Sequence, residues 1–182
     1  MSNPLQASFF IVLLSCGLGG CVDASDDDAA DTAVAEQAIF HNEVRVRRIQ
    51  SSILEEGGDE IYLTASQSSG GSVNIIRPPG DPDYWRFDTA PKSIPQGPLD
   101  PELSQHVGTI VSGSLLIVNL WEQDAGPHDE IGTIDFGLNN SGVPRTYDTP
   151  TGQFLGIEPN NGWFRVRFTN GARYYVWFEV GP

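Results

Sequence analysis

The sequence predicts an all-β chain: an antiparallel β-sandwich over residues 41–182, behind an export signal and an acidic spacer. Three observations predict it. Strand signals come one after another along the chain, the first of them, EVRVRRIQ, starting in strict alternation of apolar and polar residues. Clusters of Gly, Pro, Asn and Asp separate those segments and turn the chain. Only Asp100-Pro101-Glu102-Leu103-Ser104 reads as a helix start, with Asp as the cap and Pro in the first turn, for one or two turns at most.

The strands follow in order. EVRVRRIQ (43–50) starts in strict alternation, EIYLTAS (60–66) follows an acidic Gly-Gly turn, and SVNIIR (72–77) follows a Ser-Gly run. DYWRF (83–87) comes after Pro-Pro-Gly-Asp-Pro, and HVGTIVS (106–112) and LLIVNLW (115–121) flank Gly113-Ser114. LLIVNLW lacks alternation, which predicts a central strand buried on both faces. IGTIDFG (131–137) follows an acidic loop.

The last two strands, within WFRVRFTNGARYYVWFEV, centre on Asn170-Gly171, the favoured pair for a two-residue type I′ hairpin. That turn would set Phe168 opposite Arg173, Val166 opposite Tyr175 and Phe164 opposite Trp177. The other face would pair Arg167 with Tyr174 and Arg165 with Val176. These strands bring the expected count to about eight or nine in a sandwich.

Before the sandwich come two segments of different character. MSNPLQASFFIVLLSCGLGGC holds no charged side chain, and its apolar core, Phe9 to Leu14, is far shorter than the ~20 residues of a spanning helix. It reads as a secretory signal over residues 1–20. Leu18-Gly19-Gly20-Cys21 resembles a bacterial lipobox, which implies a mature chain that begins at a lipidated Cys21. Residues 21–40 carry six acids and no base, so they read as a self-repelling, disordered tether.

Charge narrows the partners. The chain's formal charge is −14, and the residues after 40 keep 18 acids against all 10 bases. Such a balance argues against nucleic acid and suits a cationic partner, metal ions included.

The acids are unevenly placed. LLIVNLWEQDAGPHDEIGTI carries Glu122, Asp124, Asp129 and Glu130 directly after an apolar strand. This run resembles the strand–loop–strand centre of C2 domains, with Glu122, Asp124 and Asp129 on the three acidic positions and Ile131-Gly132 ending the motif. GGDEIYLTA (57–65) resembles the first C2 loop, with Asp59 on its acid. The resemblance implies an eight-stranded antiparallel C2-like β-sandwich whose loops bind calcium. The ligands would be Asp59, Glu122, Asp124 and Asp129, helped by Glu55 or Glu56, because Ile53 stands where the family has another Asp. Calcium takes six to eight hard oxygens, which clustered carboxylates supply.

Catalytic patterns are missing from the sequence. It contains no Gly-x-Ser-x-Gly, no His-Glu-x-x-His, no P-loop and no Cys pair with zinc spacing. His128 reads as a solvated loop residue. The expected protein is therefore a non-enzymatic binding or structural protein of the bacterial cell envelope, anchored through lipid on Cys21. Val22, where some inner-membrane lipoproteins have Asp, points to an outer membrane or surface location. The alternative is a metal-independent sandwich that recognises carbohydrate or protein through exposed aromatics at Trp85, Trp163 or Tyr174.

Overall fold

The computed structural model describes residues 42–55, 58–79, 83–95, 103–123 and 127–181. The signal segment, the tether, Cys21, Glu56 and Asp124 lie outside these, as do residues 100–102 of the expected helix start. Leu103 and Ser104 run straight into a strand, and the described residues contain no helix.

Two antiparallel sheets are built from twelve strands. The first sheet contains β1 (Asn42–Ile53), β5 (Lys92–Ile94), β6 (Gln105–Ile110), β10 (Gly152–Ile157), β11 (Phe164–Asn170) and β12 (Ala172–Gly181). Its order is β10-β11-β12-β1, and β1 offers its other edge to β6 and β5 in turn. The second sheet contains β2 (Asp59–Gln67), β3 (Asn74–Ile76), β4 (Trp85–Phe87), β7 (Leu116–Glu122), β8 (Asp129–Leu138) and β9 (Pro144–Tyr147). Here the order is β3-β2-β7-β8-β9, with β4 also on β2.

The sheets close on one apolar core. Val44, Val46, Ile49, Val166, Phe168, Val176 and Phe178 of the first meet Ile61, Leu63, Val118, Leu120, Ile134 and Phe136 of the second. Alternation explains which side chains meet, since every second residue of these strands faces inward. The core tolerates no side chain at Gly152 of β10, where a Cβ would stand 1.9 Å from the Thr133 carbonyl of β8.

The strand count exceeds the nine segments read from the sequence because three edge strands carry no usable pattern. β5 has three residues between Pro91 and Pro95, β9 begins on Pro144, and β10 contains two glycines. Trp85 and Tyr174, expected at the surface, are core residues at 3% and 0% exposure, and Trp163 is half-buried.

The hairpin register is one residue away from the expected one. Phe164 pairs with Phe178, Val166 with Val176 and Phe168 with Tyr174, while Arg165 pairs with Trp177 and Arg167 with Tyr175. A one-residue slip turns a whole side-chain set over, and burial favours the register that collects all the apolar partners on one face. LLIVNLW likewise alternates. Leu116, Val118 and Leu120 are buried, whereas Ile117, Asn119 and Trp121 are half-exposed. Hydrogen bonds to Thr64 from Trp121 Nε1 (2.8 Å) and Asn119 Nδ2 (3.4 Å) give the outer row a polar support that apolar composition conceals.

Candidate functional site

Of the acids singled out in the sequence, Asp59, Glu122, Asp129 and Glu55 lie at one end of the sandwich. Asp59 opens β2, and Ile61, two residues on along the same face, pairs with Glu122 at the end of β7. Asp59 and Glu122 are thus diagonal neighbours on adjacent strands, roughly 7–8 Å apart between Cα atoms. Glu122 pairs in turn with Asp129, the first residue of β8, so the two bracket the acidic loop.

Burial divides the set. Asp59 is fully buried and Glu122 is 3% exposed, whereas Asp129 and Glu55 lie at the surface. An isolated buried carboxylate is costly, so its partners decide what it does. Asp59 Oδ2 accepts a 2.5 Å hydrogen bond from the Tyr174 hydroxyl and a longer one, 3.4 Å, from the Glu55 amide. The Tyr174 ring is held edge-on against Phe87 at 5.3 Å, which fixes the direction of its hydroxyl. Burial, then the hydrogen bond to Asp59, then the negative charges of Asp59 and Glu122 push the Tyr174 phenol well above its ordinary value. It is a donor at any physiological pH.

The turn between β11 and β12 closes the same end. Gly171 adopts φ +75°, and the Glu55 carboxylate lies against it, 2.6 Å from where a Cβ would be. Asn170 Nδ2 donates to the Glu130 carbonyl at 2.8 Å and ties this turn to the start of β8. Carboxylate oxygens make up the whole donor set, which suits a hard cation such as calcium. Among the described residues, no three His, Cys, Asp or Glu side chains stand together as a metal group. Glu56 and Asp124 fall outside the described residues, so only Asp59, Glu122, Asp129 and Glu55 of the expected ligands are described.

His128, next to this loop, has a specific partner. Its Nδ1 is 2.6 Å from the Tyr62 hydroxyl, and Tyr62 stacks on Trp121 and lies under the Arg77 guanidinium. The spacing of Tyr62 and His128 in sequence gives no sign of this contact. Tyr174 was also missed as a partner of Asp59, because the one-residue register error turned it outward.

No protein-family model matches the chain, and no curated protein matches it in sequence.

Proposed function

We propose that this chain is a non-catalytic binding protein of the bacterial cell envelope, held at a membrane by lipid on Cys21, with calcium at the acidic end of its sandwich. The observation that supports the calcium reading best is the strand register, which sets Asp59 and Glu122 as diagonal neighbours and Asp129 as Glu122's cross-strand partner. Asp124 lies in the loop that Glu122 and Asp129 bracket. Calcium held by Asp59, Glu122, Asp124 and Asp129, with Glu55 or Glu56 assisting, would offset the repulsion among these carboxylates and order the loop. Calorimetric titration tests this directly. Asp124→Asn weakens calcium binding several-fold on this reading, and equal affinities for variant and parent contradict it.

A second reading keeps the sandwich and the envelope location without the metal. It is favoured by the hydrogen bond from Tyr174 to Asp59, which already gives one of the carboxylates a structural occupation. The partner would then be a carbohydrate or a protein bound elsewhere on the domain, and its binding would survive chelation.

A further inference from the structure

The outer face of the first sheet runs against the charge of the rest of the molecule. Six of the ten basic residues, Arg45, Arg47, Arg48, Arg165, Arg167 and Arg173, lie on β1, β11 and β12. Arg45 and Arg47 are neutralised by Glu43 and Glu179, each at 2.6 Å. Arg48, Arg165, Arg167 and Arg173 pair with no carboxylate among the described residues. Arg48 reaches only Ser93 Oγ, and Arg167 only the Gln153 side-chain oxygen.

Packing presents these guanidiniums rather than letting them trail into solvent. The register puts Arg48, Trp177 and Arg165 in one row across β1, β12 and β11. Both guanidinium carbons lie over the Trp177 ring, at 4.8 and 5.2 Å from its centroid, and Arg165 also covers Tyr175 at 4.7 Å. Rings in that position hold the charged planes in place. Glu158, beside this row, accepts a hydrogen bond from Trp177 Nε1 at 3.0 Å. Arg165 and Arg167 follow along β11 about 6.8 Å apart, and Arg48 and Arg165 are two strands, about 9.6 Å, apart.

Beside Arg167 the face opens into a cleft of about 220 Å³, lined by Asp148, Thr149, Thr151, Gln153, Arg167 and Thr169. Thr149 Oγ1 is committed to the fold, since it donates to the Thr133 carbonyl and accepts from the Gly152 amide. Hydroxyls, an amide, one carboxylate and a guanidinium in a small open cleft match the many donors and acceptors of a sugar ring. The neighbouring guanidiniums match planar anions, which they bind through paired hydrogen bonds.

We infer that this face binds an acidic glycan, with a sugar in the cleft and its carboxylates on Arg165 and Arg167. This rests on the metal-independent second reading and assigns it a surface and a ligand class. Other polyanions fit less well. Trp177 is 5% exposed under its guanidiniums, so it offers no open ring for a nucleobase to stack on. A duplex, with one charge per ~1.7 Å, also meets the strongest repulsion from a chain at −14. Membrane headgroups favour protruding loops, whereas these arginines sit on paired strands of a sheet.

The test is calorimetry on the full chain in chelator at low salt, with polygalacturonate, the same polymer fully methyl-esterified, and phosphatidylglycerol vesicles. Binding to polygalacturonate alone is expected, weakened about tenfold or more by Arg165→Gln/Arg167→Gln. Arg86→Gln on the other sheet, a charge change equal to that of Arg167→Gln alone, should bind as the parent does. Should the double variant not melt cooperatively, Arg167→Gln alone, whose guanidinium leans only on Gln153, must still weaken binding. Equal binding of the esterified polymer overturns the acidic-glycan inference while leaving a carbohydrate-binding sandwich in place. No binding to polygalacturonate, unchanged affinity in the arginine variants, or binding to vesicles alone overturns it outright.

Discussion

The Tyr174 hydroxyl donates a 2.5 Å hydrogen bond to Asp59 Oδ2, joining β12 to β2 across 115 residues of sequence. The two sheets meet there in a buried polar contact, with the buried Glu122 on the strand beside Asp59. Tyr174→Phe removes the donor but keeps the ring against Phe87, so its cost isolates the hydrogen bond. The expected loss is about 1–2 kcal/mol, read as a lower midpoint in urea with an unchanged denaturant slope.

The same contact gives stability an alkaline limit. The folded-state value of the Tyr174 phenol is raised, so the folded protein keeps a proton that the unfolded chain gives up near pH 10. This contribution is whole below about pH 10 and is lost as pH rises beyond it. Melting midpoints between about pH 9 and 11 should fall more steeply for the parent than for Tyr174→Phe. Parallel slopes would contradict the assignment.

Gly152 is where β10 presses on β8. An added methyl would stand 1.9 Å from the Thr133 carbonyl oxygen and 2.8 Å from its carbon, both backbone atoms that cannot step aside. Gly152→Ala should therefore cost about 3 kcal/mol or abolish folding. Gly181→Ala meets nothing within 4 Å and should stay within about 0.5 kcal/mol of the parent. Equal melting curves for the two variants would refute this reading of the sheet contact.

Asp135 lies on the outer side of β8, half-buried between Ile117 and Tyr147, and its Oδ1 has no hydrogen-bond partner. Burial raises its carboxyl above the usual value, so its charged form is disfavoured in the folded state. Asp135→Asn should raise the melting midpoint at neutral pH. The gain should shrink as pH falls toward about 4, where both states of the parent become protonated. A gain that does not change with pH would point to a cause other than charge.

How much could be read from the sequence depended on where each strand met its neighbours. β1 was legible from its alternation, β2 and β8 from apolar runs bounded by turn residues, and β12 from the Asn170-Gly171 turn before it. β5, β9 and β10 were not, since Pro and Gly fill them and their pairing comes from the strands beside them. The hairpin was recognised from Asn170-Gly171, but its register was not. The turn pair predicts one register, and the packing of Phe164, Val166 and Phe168 against Phe178, Val176 and Tyr174 selects another. That single slip also concealed Tyr174 as the partner of Asp59, and it set Arg167 and Arg165 opposite Tyr174 and Val176 in place of Tyr175 and Trp177. The convergence of Asp59, Glu122 and Asp129 was legible, because strand ends on either side of a loop must lie close together. Their unequal burial was not, since it depends on Tyr174 arriving from a strand far along the chain.

The most direct test of calcium at the acidic end is a thermal melt of the purified protein with millimolar calcium, with magnesium, and with chelator. A ligand that binds only the folded state adds roughly 2.7 kcal/mol at a hundred times its dissociation constant. Calcium should raise the midpoint by several degrees, magnesium should do so far less, and Asp124→Asn should remove the rise. Superimposable melts in calcium and chelator would contradict the calcium site, and the carboxylates of Asp59 and Glu122 would then be structural groups of the sandwich end.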